Sequence, residues 1–195
     1  TKPAKIHWCN GSDAEYQALL DQMVANGDLL PLNPRTYPNC YLHRSNPSDV
    51  ARVEHLTFVC TPEPEAAGPN NNWMAPDEAH GEMDALFAGT MQGRTMYVVP
   101  YIMGPADSPF SKVGIEITDS VYVALNMGIM TRMGKVALDR LGPSNEFNRG
   151  MHSVADSSSQ TAALTSARAT SWPQRLSMPV RSATKESSAF TITSI

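Results

Sequence analysis

Cysteine is scarce in this 195-residue chain, which contains only Cys9, Cys40 and Cys60, far apart and without a CxxC pair. An odd number of widely spaced cysteines argues against a disulfide framework and a structural zinc site, and it favours a reducing compartment. The five histidines show no metal-ligand spacing either, and none lies in an HExxH-like frame. The sequence therefore predicts a cytoplasmic chain that binds no metal.

Excess positive charge and long apolar runs are also missing. The net charge is −4, so nothing indicates a basic face for nucleic acid or for a membrane surface. Residues 1–15 have no apolar core of a secretory leader, and the longest apolar run, residues 96–103, is interrupted by Pro100. With 42% hydrophobic residues, the composition suits a globular protein of one domain or slightly more, without nucleic-acid or membrane partners.

The first clear element is a helix between Gly11 and Gly27. Ser12 and Glu15 have the spacing of a capping box, and Gly27 supplies a helix stop. Apolar residues recur at helical spacing along this helix and predict one buried stripe, made of Tyr16, Leu19, Leu20, Met23 and Val24. After the helix, four prolines within residues 31–47 predict an irregular connection.

Strands and helices interleave through the middle of the chain. Three segments rich in β-branched and aromatic residues predict strands, at residues 57–61, 95–102 and 113–117. Pro76 suits the first turn of a second helix, which ends at Gly89. Asp119 or Ser120 can cap a long helix over residues 121–140. This alternation predicts an α/β or mixed α+β fold.

The most distinctive block of the chain runs from Ala88 to Gly134. It contains GRTMY at residues 93–97 and IMTRMG at residues 129–134, and the string FNRGMHSV follows at residues 147–154. With these motifs the chain resembles the N-terminal domain of GTP-dependent phosphoenolpyruvate carboxykinase over residues 1–154. The resemblance implies the mixed α+β N-terminal lobe of that fold, in incomplete form.

The resemblance also assigns two residues of the segment SDVARVEHLT. It implies that Arg52 binds the carboxylate end of oxaloacetate or phosphoenolpyruvate, a task that suits a planar guanidinium because this group keeps its charge. It implies that Glu54 lies near the mobile lid of the active site.

The motif at residues 93–97 is expected to be structural, with Arg94 pairing near the surface. The methionines of residues 129–134 are expected to fill the core.

By resemblance, the intact enzyme converts oxaloacetate and GTP to phosphoenolpyruvate, GDP and carbon dioxide in gluconeogenesis. It uses Mn²⁺ or Mg²⁺ and is a cytoplasmic monomer. The family's metal ligands, phosphate loop and guanine pocket have no counterpart in these 195 residues. We therefore expect no catalytic, metal or cofactor-binding residue in the chain, and no activity from it alone. Residues 128–136, GIMTRMGKV, are not a phosphate loop, because five residues separate the glycines where the motif has four.

The composition changes after Val154. Residues 155–195 are rich in serine and threonine and show no amphipathic period, so the sequence predicts a mostly disordered tail. This tail does not resemble the family's continuation, and one hypothesis is out-of-frame translation, which sequencing of the gene beyond the codon for Val154 tests. Two alternatives stay open for the function of the chain: a non-catalytic module that binds a dicarboxylate or phosphoenolpyruvate at Arg52, and a non-functional gene remnant.

Overall fold

A computed structural model of the chain describes residues 1–44 and 57–154, together with the backbone of residues 166–171 and 189–194. These ranges contain four α-helices: α1 Asp13–Ala25, α2 Pro76–Phe87, α3 Val121–Met130 and α4 Lys135–Leu141. They contain eleven strands: β1 Lys5–Trp8, β2 Leu30–Pro31, β3 Tyr41–Leu42, β4 Thr57–Cys60, β5 Asn72–Trp73, β6 Thr95–Met103, β7 Lys112–Thr118, β8 Arg132–Met133, β9 Asn148–His152, β10 Ser166–Ser171 and β11 Ala189–Ser194. Helices combined with a mixed sheet confirm the predicted α/β class. Within these ranges, no helix is long and apolar enough to cross a membrane.

Nine of the strands form one mixed sheet in the order β1-β6-β7-β9-β10-β11-β4-β5, with β8 also paired to β6. Its longest pairing is the antiparallel one between β6 and β7, while β1 runs parallel to β6 and β9 runs parallel to β7. Strands β2 and β3 form a separate antiparallel pair. This pair corrects the prediction of a wholly irregular connection over residues 31–47. Pro31 is compatible with it because proline is tolerated on an edge strand.

The main core lies between β6 and the helices α1 and α3. The predicted stripe of α1 faces this core: Leu19, Leu20 and Met23 are buried, and Tyr16 and Val24 pack beside them. The strand and α3 supply further buried residues, including Val99, Val123, Leu125 and Met127. Burial of the apolar stripe, more than helix propensity, fixes α1 against the sheet.

The start of α1 only partly follows the predicted capping box. The Ser12 hydroxyl accepts a hydrogen bond from the backbone N–H of Glu15 at 3.2 Å, as predicted. The Glu15 carboxylate does not return to the Ser12 N–H, which donates to Asn10 Oδ1 instead. The Glu15 carboxylate instead accepts hydrogen bonds from the backbone N–H groups of Asn10 and Gly11, at 2.8 and 2.9 Å. The preceding loop therefore wraps around the Glu15 side chain.

The prediction of one helix over residues 121–140 is wrong. Helix α3 ends at Met130, β8 pairs with β6, and α4 begins only at Lys135. Gly134 has a φ of +86°, and its N–H donates to the carbonyl of Pro100 at 2.8 Å. A Cβ on Gly134 would lie 1.9 Å from the carbonyl oxygen of Asn10. The break is thus imposed by close packing of two distant backbone segments, which helical periodicity does not reveal.

The methionines of this region fill the core only in part. Met133 packs against the main core, as predicted. Met130 is 36% exposed, and its neighbour Ile129 is 70% exposed. The prediction of a buried Met130 is wrong because Ile129 and Met130 lie at the exposed end of α3, beyond its last core residue, Met127.

Two segments of the tail lie in the main sheet. Strand β10 pairs with β9 and with β11, and β11 pairs with β4. The other residues after Val154 lie outside the described ranges, so disorder remains a prediction for them. A domain boundary at Val154 also remains a prediction.

Candidate functional site

The two residues that the sequence assigns to substrate binding lie outside the described residues. Arg52 and Glu54 belong to residues 45–56, between β3 and β4. Their roles therefore stay predictions. Arg94 is described and has the structural role that the sequence predicts, since its guanidinium pairs with Asp119 at 3.0 Å.

The turn between β1 and α1 brings together three side chains that share no recognised sequence motif. We call His7, Cys9 and Glu15 the β1–α1 cluster. One donor atom from each, a ring nitrogen, a thiol sulfur and a carboxylate oxygen, lies within 4.8 Å of the other two. The closest pair is His7 Nε2 and Glu15 Oε1, at 2.8 Å. No other group of three or more such residues comes this close within the described ranges.

Local structure explains the assembly of the β1–α1 cluster. Side chains two positions apart on an extended chain point to the same face, so His7 and Cys9 share one side of β1 and its continuation. The Cys9 N–H donates to the carbonyl of Val98 at 2.9 Å and extends the pairing of β1 with β6. Glu15 lies in the first turn of α1, directly after the loop that follows the strand. A strand followed at once by a helix therefore places all three groups together.

The β1–α1 cluster is mostly shielded from solvent. The side chain of Glu15 is 6% exposed and Cys9 is 2% exposed, whereas the side chain of His7 is 35% exposed. Burial, together with the nearby negative charge of Glu15, raises the pKa of the Cys9 thiol to about 12. The His7 ring packs edge-on against Tyr97, with 5.5 Å between ring centroids.

The cluster has neither the spacing of a known zinc site nor that of a metalloprotease, so those motifs do not reveal it in the sequence. The pattern here is His-x-Cys followed by a glutamate at the start of a helix. Two features of this pattern can be read in the sequence. His7 and Cys9 have the i, i+2 spacing of one strand face, and Glu15 lies three positions after the helix cap Ser12. Nothing in the spacing alone showed that the helix would fold back so that Glu15 faces the strand.

A second buried polar network surrounds Asp119, whose side chain has no exposed surface. Its carboxylate accepts from Arg94 Nη1 at 3.0 Å, from Ser153 Oγ at 3.0 Å and from the N–H of Val154 at 2.7 Å. Of the two residues predicted to cap α3, Asp119 and Ser120, the cap is Ser120. Its hydroxyl accepts a hydrogen bond from the N–H of Val123. Asp119 thereby ties the start of β6, the end of β7 and the end of β9 to one point.

The remaining cysteines differ in burial. Cys40 is exposed, whereas Cys60 is completely buried, and this burial raises the pKa of its thiol from 9.0 to about 11. At pH 8 a shift of this size lowers the thiolate fraction about 100-fold.

We expect iodoacetamide to modify Cys40 at least about 100-fold faster than Cys60 in the folded chain, measured by peptide mass spectrometry. Similar rates for both would contradict the packing around Cys60, and urea-unfolded chain is the control in which the difference should vanish.

Comparison with known sequences gives these observations a family context. A sequence model described as the phosphoenolpyruvate carboxykinase N-terminal domain matches residues 1–194. The phosphoenolpyruvate carboxykinase (GTP) of Anaeromyxobacter dehalogenans is 70% identical over 155 residues, which make up 80% of this chain and 26% of that protein. The protein of the same name from Chlamydia muridarum is 56% identical over 152 residues, 78% of this chain and 25% of that protein. The chain thus spans about a quarter of the length of these relatives.

Proposed function

Because the chain belongs to the phosphoenolpyruvate carboxykinase family and matches its N-terminal domain, we propose that it supplies this domain to an enzyme that converts oxaloacetate and GTP to phosphoenolpyruvate, GDP and carbon dioxide. The observation that carries the proposal is the 70% identity over 155 residues to a protein named for this activity. The intact enzyme would act in gluconeogenesis as a cytoplasmic monomer. The comparisons do not favour a separate binding module or a gene remnant.

Arg52 is the residue of this chain that we propose to contact substrate. Its guanidinium would hold a carboxylate of oxaloacetate or phosphoenolpyruvate through two parallel, charge-assisted hydrogen bonds. Glu54, two positions further on, would help to hold the lid over the bound substrate. Both residues come shortly before β4, which lies in the main sheet, so this segment leads directly into a fixed part of the fold.

The described residues do not fit the divalent metal and GTP that the family's reaction implies. Mg²⁺ and Mn²⁺ favour oxygen ligands, whereas the β1–α1 cluster contributes sulfur and nitrogen with a single carboxylate. The glycine that heads α4, Gly134, gives its N–H to the carbonyl of Pro100 and therefore cannot donate it to a phosphate. Phosphoryl transfer needs a metal and a phosphate cradle, so we expect the 195 residues alone to show no turnover.

A chimera tests the proposed function directly. Residues 1–154 of this chain would replace the matching residues of the Anaeromyxobacter dehalogenans protein. We expect metal- and GTP-dependent decarboxylation of oxaloacetate within about tenfold of that parent, because most of the exchanged residues are identical. In the chimera, Arg52→Ala should lower kcat/KM at least about 100-fold, since two charge-assisted hydrogen bonds are together worth about 3 kcal/mol.

Two controls accompany this assay. Arg35→Ala removes an exposed arginine of the described region, and it should leave the activity of the chimera unchanged within about twofold. The 195-residue chain, assayed alone, should not exceed a blank. An inactive chimera that still unfolds cooperatively would overturn the proposed function. Full activity in the Arg52→Ala chimera would remove only the role of Arg52.

A further inference from the structure

We propose that the β1–α1 cluster is a binding site for a divalent transition metal, with Zn²⁺ as the best match. His7 Nε2, Cys9 Sγ and a Glu15 carboxylate oxygen are three different ligand types that zinc accepts in proteins. They come from a strand end and a helix start, and each lies within 4.8 Å of the other two.

The distances within the cluster require only a small adjustment for zinc. With bond lengths of about 2.0–2.3 Å, ligand atoms at the corners of a tetrahedron lie about 3.3–3.7 Å apart. His7 Nε2 and Glu15 Oε1 are closer than this, at 2.8 Å, because they share a hydrogen bond. Zinc would take the place of the proton between His7 Nε2 and Glu15 Oε1, with the ring keeping a proton on Nδ1, and the Cys9 thiol would release its proton to solvent as sulfur binds the metal. The distance between His7 Nε2 and Glu15 Oε1 would increase by less than about 1 Å.

The groups around the cluster hold the ligands in position. The N–H groups of Asn10 and Gly11 both donate to Glu15 Oε2, which fixes the carboxylate and leaves Oε1 directed at His7. The backbone of Cys9 is bonded to β6 through Val98. Such outer contacts orient metal ligands and increase affinity, so the site is organised before any metal arrives.

Access and charge also suit a metal ion. The His7 side chain is about one-third exposed, so one of the three ligands can be reached from solvent. A thiolate and a carboxylate would together neutralise a divalent cation. Three protein ligands leave the fourth tetrahedral position for water, as in zinc sites that are not closed by protein. The sulfur and nitrogen ligands select zinc or cobalt over calcium and magnesium.

Titration of the metal-free full chain with Zn²⁺ by calorimetry measures the affinity of this site. We expect one zinc per chain, and we expect His7→Gln and Cys9→Ser each to weaken binding at least about tenfold. Two substitutions at exposed residues of the same types, His80→Gln and Cys40→Ser, serve as matched controls and should leave the affinity unchanged. Affinities that are equal in all four variants, or no binding by the unmodified chain, would overturn the proposal.

X-ray absorption at the zinc edge tests the site without any variant, in case Cys9→Ser prevents folding. The zinc-loaded chain should show one sulfur neighbour at about 2.3 Å and nitrogen or oxygen neighbours at about 2.0–2.1 Å. A spectrum with nitrogen and oxygen neighbours only would rule out Cys9 as a ligand and sink the proposed site. Because neither measurement depends on turnover, the proposal and the carboxykinase function can fail independently.

Discussion

Replacing Asp119 with alanine should lower the free energy of unfolding of the chain by about 3–5 kcal/mol, measured by urea unfolding followed by circular dichroism. The carboxylate is buried, and it accepts hydrogen bonds from Arg94, Ser153 and the N–H of Val154. Its removal leaves two of these donors without a partner in a region that water does not reach easily, and it leaves Arg94 without its counter-charge. Asp119→Asn should cost less, because one carbonyl acceptor remains.

Asp139→Ala is the matched control for this substitution. Asp139 also pairs with a basic residue, Lys135, at 2.7 Å, but both side chains are mostly exposed on α4. Exposed pairs of this kind contribute little, so the loss should be less than about 0.5 kcal/mol. An Asp119→Ala variant that is as stable as Asp139→Ala would mean that the network around Asp119 does not hold β6, β7 and β9 together.

Gly134→Ala should destabilise the chain by at least about 4 kcal/mol in the same measurement. The residue has a φ of +86° and a ψ of −135°, a backbone conformation found almost only in glycine, which costs another residue about 1–3 kcal/mol. The larger part of the effect is steric. The new Cβ would lie 1.9 Å from the carbonyl oxygen of Asn10 and 2.6 Å from the nitrogen of Gly11, and these backbone atoms cannot rotate away as a side chain would.

Two other glycines separate backbone strain from steric overlap. Gly27 has a similar φ of +80° but no atom within 4 Å of an added Cβ, so Gly27→Ala should cost only about 1–2 kcal/mol. Gly81 lies inside α2 with open space around it, and Gly81→Ala should stabilise the chain by about 0.5–1 kcal/mol. If Gly134→Ala and Gly27→Ala cost the same, the close contact with Asn10 is not rigid.

Patterns within one element were sufficient to predict α1, α2 and three of the eleven strands in the described ranges, β4, β6 and β7. The apolar stripe of α1, the cap at Ser12 and the start of α2 at Pro76 all depend on residues within a few positions of one another. The strands β6 and β7 extend the predicted segments by one residue at an end or at each end. These predictions succeed because caps and hydrophobic periodicity act over short stretches of sequence.

The predictions that failed involve contacts between distant segments. The helix predicted over residues 121–140 is interrupted between Met130 and Lys135, where Gly134 packs against the backbone of Asn10, a contact that no local pattern reveals. For the same reason the sequence offered either Asp119 or Ser120 as a cap. Only the positions of Arg94 and Ser153 show why Asp119 serves the network and Ser120 serves the helix.

The sequence by itself determined the family, the α/β class and the residue types available for chemistry, since a motif such as GRTMY is read directly along the chain. Only the tertiary structure decided which of those residues meet. His7, Cys9 and Glu15 form one cluster because the apolar stripe of α1 packs in the main core and so places the start of the helix beside β1. The few cysteines and the scattered histidines have no metal-ligand spacing, and on that basis the sequence predicts no metal site. The distances between ligand atoms, however, depend on how the elements pack together, and sequence spacing does not give these distances.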